Sequence, residues 1–177
     1  IRGGLPGKLI RDTYVWTGER ETRSFAEWYL LARLTKMGLP VPRPVAARYR
    51  RWGLTYRADL LTMRIPGIRS LAERIMERPR DRKFWRGVGR AIHRFHAEGV
   101  CHADLNAYNL QLDDSDAVFL LDFDRGTLRE PGIWRQKNIA RLHRSLNKIR
   151  SLDRRVAFSK AEWNELLEGY FSESRSA

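Results

Sequence analysis

Apolar residues recur at helical spacing in four long stretches, with short strand-like runs between them. Phe25, Trp28, Tyr29, Leu31, Ala32 and Leu34 predict a helix over residues 24–37 with a broad apolar face. Gly38, Pro40 and Pro42 end it. Ser24 and Glu27 have the spacing of a capping box, in which Glu27 serves only the helix terminus. Residues 45–47 and 56–63 read as strands, the second alternating poorly, as a buried strand does. Ile65-Pro66-Gly67 is a break, and Ser70 opens a short helix that stops before Pro79. Phe84, Val88, Ile92 and Phe95 mark a long helix over 81–99, with Asp81 as N-cap and Gly99 as C-cap. A further helix carries Ile139, Leu142, His143, Leu146 and Ile149 on one face. Arg135, Lys137, Arg141, Arg144, Lys148 and Arg150 load its other positions. Ser159 and Glu162 form a second capping box before a last helix with Trp163, Leu166, Leu167, Tyr170 and Phe171 on its apolar side. Gly3-Gly4 marks a turn, SESRSA is a tail, and there are no internal repeats.

Between the long helix and the basic one lies VCHADLNAYNLQLDDSDAVFLLDFDRG, residues 100–126. Two apolar runs, 110–112 and 118–121, flank the polar cluster Asp113-Asp114-Ser115-Asp116, which predicts a β-hairpin. The expected pairing sets Leu110 against Leu121 and Asn109 against Asp122, on one side of the sheet. That would place an amide oxygen and a carboxylate together at the hairpin's open end. Both are hard oxygen ligands that suit Mg²⁺, which binds one or two carboxylates plus substrate phosphates. The bland alternative is a surface hairpin with polar ends.

Charge narrows the partners. Among 177 residues, 34 Lys and Arg stand against 21 Asp and Glu, a net charge of +13 that favours anionic partners over cationic ones. Arg2, Lys8, Arg141 and Arg144 are candidates for holding an acidic ligand, and the basic helix reads either as a solvated face or as a ridge for phosphates or an anionic bilayer. Trp134 suits a membrane interface or a core equally. No nucleic-acid motif accompanies the charge, so nucleic acid is not expected as a partner. The single cysteine, Cys101, excludes an intrachain disulfide and a multi-cysteine metal site, and fits a reducing compartment. His93 and His96 lie three apart without a nearby carboxylate motif; His96 reads as packing and His93 as surface. No apolar run is long enough to span a bilayer, and no signal peptide is visible. Ile1 is not Met, and IRGG reads as the end of a strand, so the chain is expected to begin partway into a fold.

The motif residues carry a resemblance. His102-Ala103-Asp104-Leu105-Asn106-Ala107-Tyr108-Asn109 resembles the kinase catalytic loop H-R-D-L-x-x-x-N, and Asp122-Phe123-Asp124 resembles D-F-G. Three departures argue against a protein kinase switched by phosphorylation: Ala103 in place of Arg, Asn106 in place of Lys, and Asp124 in place of Gly. The segment after Gly126 is also too short for a large activation segment. The stretches RGGLPGKLIRDTYVWTG, RSFAEWYLLARLTKMGLPVPRPVAA, YRADLLT, HADLNAYNLQLD, LDFDRG and NIARLHRSLNK are similar to the 3-deoxy-D-manno-octulosonic acid (Kdo) kinases among the lipopolysaccharide core kinases.

This resemblance implies an α+β, bilobal protein-kinase-like fold. Its N-terminal lobe is truncated, so that the strands of the Gly-rich loop are missing. Its C-terminal lobe is mainly helical and carries a catalytic β-hairpin. Residues 1–64 would form the partial first lobe, with an αC-like helix and a hinge strand, and 65–177 the second. Lys8 is the nearest candidate for a nucleotide-contacting Lys, though its place after a turn favours a solvated one. The implied reaction moves the γ-phosphate of ATP, with Mg²⁺, to a hydroxyl of Kdo on a lipid A precursor, at the cytoplasmic face of the bacterial inner membrane. Asp104 is then the catalytic base, with Asn109 and Asp122 on the metal and nucleotide, and His102 bracing the loop. Backbone groups of Thr62, Met63 and Arg64 read adenine, and Glu27 gains a second reading as the αC Glu that orients a phosphate-binding Lys. Asp124 either aids the metal or pairs with Arg125 or another Arg. Two rival readings are a kinase of another small molecule, aminoglycoside- or choline-kinase-like, and a non-catalytic pseudokinase or basic binding module.

Overall fold

The computed structural model describes residues 14–172. Arg2, the Gly3-Gly4 turn, Lys8 and the tail beyond Ser172 lie outside the described residues. The described chain is a mixed α/β structure with five helices and small antiparallel sheets.

The first part holds β1 (Tyr14–Val15), α1 (Arg23–Lys36), β2 (Pro44–Trp52) and β3 (Thr55–Thr62), with the strands in the order β1-β3-β2. A two-residue loop, Gly53-Leu54, joins β2 to β3, and Gly53 supplies the positive φ of 55° that it requires. Pro44 opens β2, where its missing N–H costs least, and the register shifts immediately after it. The strand expected over 45–47 thus runs on to Trp52. Strand β3 is not the buried strand its sequence suggested: Tyr56 is buried, but Leu61 is 60% exposed. Helix α1 packs on β2 and β3 and contributes Leu31 and Leu34 to the core. The expected capping box is absent. The helix starts at Arg23 after Thr22, so Ser24 lies inside the first turn, where its hydroxyl donates to Arg48 O at 3.0 Å. That displacement frees Glu27 from the terminus.

The second part contains β4 (Arg69–Ser70), α2 (Leu71–Glu77), α3 (Arg82–Ala97), β5 (Val100–Cys101), β6 (Leu110–Leu112), β7 (Val118–Leu120), β8 (Thr127–Leu128), α4 (Trp134–Leu152) and α5 (Lys160–Ser172). Ser70 and Glu73 form a full capping box on α2. Asp81 Oδ1 accepts from Phe84 N at 2.8 Å, as an N-cap should. Glu162 Oε2 accepts from Ser159 N at 2.7 Å, the half of the second box that holds the chain entering α5. The core gathers Trp85, Val88, Ile92 and Phe95 of α3 with Leu142, Leu146 and Ile149 of α4 and Leu166 and Tyr170 of α5. Phe171, expected on the apolar side, is 51% exposed.

Helices α3 and α5 meet backbone to backbone at two glycines. A Cβ on Gly89 would lie 2.0 Å from Leu166 O, and one on Gly169 would lie 2.2 Å from Arg86 O. Beside this contact His96 is buried, with Nδ1 2.7 Å from the Tyr170 hydroxyl and its ring against Trp134. Trp134 is therefore a core residue and not a membrane-facing one; its Nε1 donates to Glu130 O at 2.7 Å. His93 is half-buried against Tyr170, more enclosed than the surface position expected. Burial, aided by the positive charges of Arg135 and His93, pushes His96 down to about 4.

Two outcomes follow from this packing. Gly89→Ala and Gly169→Ala should each lower unfolding stability by about 2–3 kcal/mol, because main-chain atoms cannot yield as a flexible side chain does. Gly87→Ala, whose Cβ meets only Arg90 Nη2 at 3.9 Å, should raise it by up to about 1 kcal/mol; urea unfolding followed by circular dichroism compares the three. For His96, the native and unfolded rings are both neutral above pH 6.5, where stability is complete. Between 6.5 and about 4 the unfolded chain takes a proton that the native ring refuses, so stability falls by up to about 3 kcal/mol. An NMR titration of the native protein should show the His96 ring changing charge near pH 4; a midpoint near 6.5 would contradict its placement.

Candidate active site

Strand β5 delivers the chain to His102, and the loop 102–109 then folds on itself. His102 is buried, 1% exposed, and works in three directions. Its Nε2 donates to Leu121 O at 2.9 Å, and its Nδ1 accepts from Asp104 N at 3.2 Å. That pairing requires a neutral ring, and burial, which comes first among the causes, holds its pKa below the ordinary value. The main chain of His102 is clamped by Asn138 of α4: Oδ1 accepts from His102 N at 3.2 Å, and Nδ2 donates to His102 O at 2.9 Å. Asn138 occupies the core stripe between Trp134 and Leu142, four residues from each. An amide at a core position of an otherwise apolar stripe was the signal for it, and the pattern of apolar residues alone passed over it.

Asn106 organises the rest of the loop. Its Oδ1 accepts from Tyr108 N at 2.8 Å and Asn109 N at 3.0 Å, and its Nδ2 donates to Asp104 Oδ2 at 3.0 Å. Leu105 and Ala107 are buried, and Ala107 O accepts from Ala72 N at 3.0 Å, anchoring the loop to α2. Asp104 is left with its side chain 60% exposed. Asn109 Nδ2 donates to Asp104 O at 2.9 Å, which leaves Asn109 Oδ1 as an acceptor for something else.

The hairpin forms, but in another register. Leu110 pairs with Leu120, and Asn109 O accepts from Leu121 N at 2.9 Å. Asn109 therefore lies opposite Leu121, and Asp122 falls one residue beyond it. The loop 113–117 sets this register. Asp113 Oδ1 accepts from Ser115 N at 2.9 Å and Ala117 N at 3.0 Å, while Asp116 takes a positive φ of 62°. Buried Arg74 of α2 holds the loop from outside through Asp113 O and Asp114. At Asp122 the chain leaves the strand in the left-handed conformation, φ 62°, which costs a non-glycine residue about 1–3 kcal/mol.

Helix α1 closes the site from the other part of the molecule. Glu27 Oε1 accepts from Phe123 N at 3.0 Å, so Glu27 serves the Asp122-Phe123-Asp124 segment and not its own helix end. Burial first, and then the charge of Asp122, raises the pKa of Glu27. Asp124 pairs with Arg23, whose Nε donates to Oδ1 at 2.7 Å, rather than with Arg125. Phe123 is buried against His102, ring centroids 5.0 Å apart. Among the Thr62, Met63 and Arg64 backbone groups, Met63 N is already engaged, donating to Arg43 O at 2.8 Å. A cavity of about 600 Å³ lined by His93, Ile139, His143, Trp163 and Phe171 among others contains none of Asp104, Asn109 and Asp122. Arg141 reaches Asp104, and Arg144 is exposed on the same helix.

Residues 1–170 match the model of the lipopolysaccharide kinase (Kdo/WaaP) family. The chain belongs to this family. It is 47% identical over 171 residues to a 3-deoxy-D-manno-octulosonic acid kinase of Stenotrophomonas maltophilia, covering 96% of this chain and 68% of that protein. A protein of the same name from Xanthomonas campestris pv. campestris is 51% identical over 150 residues, 84% of this chain and 60% of the relative. One from Photobacterium profundum is 44% identical over 169 residues, 96% and 71% respectively. The chain thus spans 60% to 71% of the length of these relatives.

The clamp on His102 can be tested directly. Asn138→Ala strands a buried N–H and a buried carbonyl, each worth about 1–3 kcal/mol, so the variant should lose about 2–4 kcal/mol in urea unfolding. A loss below about 0.5 kcal/mol would mean that the loop is held by other contacts.

Proposed function

We propose that this chain is part of an ATP-dependent kinase that phosphorylates a hydroxyl of Kdo on a lipid A precursor. The observation that carries this reading is the joining of Asp104 to the Asp122 segment by one buried imidazole, His102. The family match and the names of the relatives support the acceptor. In this reading residues 14–64 belong to a first kinase lobe, with α1 as its αC-like helix, and residues 65–172 to the second.

Asp104 takes the proton of the acceptor hydroxyl as that oxygen bonds to the γ-phosphorus and the bond to the ADP oxygen breaks. Its exposure leaves room for the hydroxyl, and Asn106 fixes Oδ2, so that Oδ1, which Arg141 contacts in this structure, is the oxygen left for the acceptor. Such base assistance gives about 10²–10⁴-fold. Asn109 Oδ1 and the Asp122 carboxylate would hold Mg²⁺. Two such oxygens are what this ion takes from a protein when substrate phosphates supply the rest. When bound, Mg²⁺ with ATP supplies the activated phosphoryl group and neutralises charge on it. Glu27 holds the Asp122 segment against α1 and keeps its reading as the Glu that orients a phosphate-binding Lys. Backbone groups of Thr62 to Arg64 would read the adenine edge, the Met63 N–H being spent on Arg43 O.

A Kdo-bearing lipid lies in the bacterial inner membrane, so the protein acts at its cytoplasmic face as a peripheral enzyme. Among the described residues no helix is long and apolar enough to cross a membrane. The charge of +13 supports attraction to an anionic surface.

The full-length protein given γ-labelled ATP and Mg²⁺ should label a Kdo-bearing lipid A precursor and not the same lipid without Kdo. Asp104→Asn should lose at least about 100-fold in turnover with its fold intact. Label on neither lipid, with ATP bound, would turn the assignment toward another small acceptor or a non-catalytic role.

A further inference from the structure

The two oxygens of Asp104 are engaged from different directions. Asn106 Nδ2 reaches Oδ2 from within the loop, and Arg141 Nη1 donates to Oδ1 at 3.3 Å from helix α4. The Arg141 and Asp104 side chains are 46% and 60% exposed. An ion pair this open to water contributes little to stability, so the guanidinium can exchange this carboxylate for another oxyanion at small cost. Arg141 does not stand alone. Lys137 lies four residues before it, and Arg144 and Lys148 three and seven after it, all exposed and on one face of the helix. Among the described residues no carboxylate stands within ion-pair distance of those three. The stripe runs about 16 Å along α4 with Arg141 in it at the active-site aspartate. On its other side the same helix buries Asn138, Leu142 and Leu146, which hold the stripe rigidly against the catalytic loop.

We propose that Arg141 is the acceptor-side anchor of this site. It leaves Asp104 Oδ1 for an oxyanion of the acceptor, carboxylate or phosphate, as the acceptor hydroxyl takes its place on the carboxylate. Lys137, Arg144 and Lys148 continue the contact to further acidic groups. The proposal rests on the kinase reading above. Its physical content is a coupling: the aspartate is released to act as a base when an acidic acceptor draws the guanidinium away. A planar fork of N–H donors is the group that suits such a transfer between oxyanions. Asn109 and Asp122 would serve the nucleotide metal with oxygens, and Arg141 is the cation that helix α4 presents beside Asp104.

The test compares the full-length protein with Arg141→Ala and Arg141→Lys. The acceptors are a Kdo glycoside with a free carboxylate and its methyl ester, and the lipid-linked acceptor before and after removal of its phosphates. Arg141→Ala should raise the acceptor KM about 10- to 100-fold and leave the KM for ATP within twofold. It should also abolish the parent's preference for the charged acceptor, and Arg141→Lys should restore part of that preference. Loss of the preference for carboxylate over ester assigns the carboxylate as the anchored group; loss of the preference for phosphorylated over dephosphorylated lipid assigns phosphate. Both preferences kept in Arg141→Ala, or an equal rise in both KM values, would overturn the anchor while leaving the kinase assignment standing. No transfer by the parent protein to any of these acceptors would overturn both.

Discussion

The buried imidazole of His102 is the constraint on which the site depends. A neutral histidine has one donor and one acceptor, and this one spends each on a different segment of the candidate site. The donor fixes Leu121, the residue before Asp122; the acceptor fixes Asp104. Protonating the ring would turn the acceptor into a second donor facing the Asp104 N–H, and burial opposes that change. The ring is held in turn by Phe123 and by the Asn138 clamp on its own main chain. Position and protonation state are thus set by the same packing.

A second constraint links the two parts of the chain. Glu27 and Arg23 sit four residues apart on α1 and reach Phe123 N and Asp124, so one helix face grips the middle and the last residue of the segment 122–124. Pro40 O accepting from Leu120 N at 3.1 Å and Gly38 O accepting from Arg94 at 2.6 Å extend the junction beyond the helix end. The left-handed turn at Asp122 is affordable because contacts before and after it leave the chain no relaxed alternative.

Helix α4 serves the core and the surface at once. Leu142, Leu146 and Ile149 anchor it, Asn138 spends a core position on the loop 102–109, and Arg141 faces the outside of that loop. The three glycine-free turns between Trp134 and Leu146 keep these side chains at set angles to one another. The charged positions are therefore placed by the apolar ones.

Some of this was legible in the order of residues. The helices around Leu31, Ile92, Leu146 and Leu166 follow from apolar spacing, and the caps at Ser70, Asp81 and Ser159 follow from contacts three residues long. The order His102, Asp104, Asn109, Asp122 marked out the candidate site, because a loop and a hairpin are local. Of the two readings open for Glu27, the capping box with Ser24 failed because the helix is capped two residues earlier, at Thr22, and Glu27 found a partner 96 residues away. It missed the hairpin register by one residue, since that depended on side-chain bonds within the Asp113 loop and on Arg74 from another helix. Asn138 and Arg23 acquired their roles only in the folded chain, and Arg141, a candidate from charge alone, acquired its contact with Asp104 there. Local periodicity specifies which face of an element is apolar; which polar group that face brings to which loop is decided by tertiary packing, where partners lie tens of residues apart.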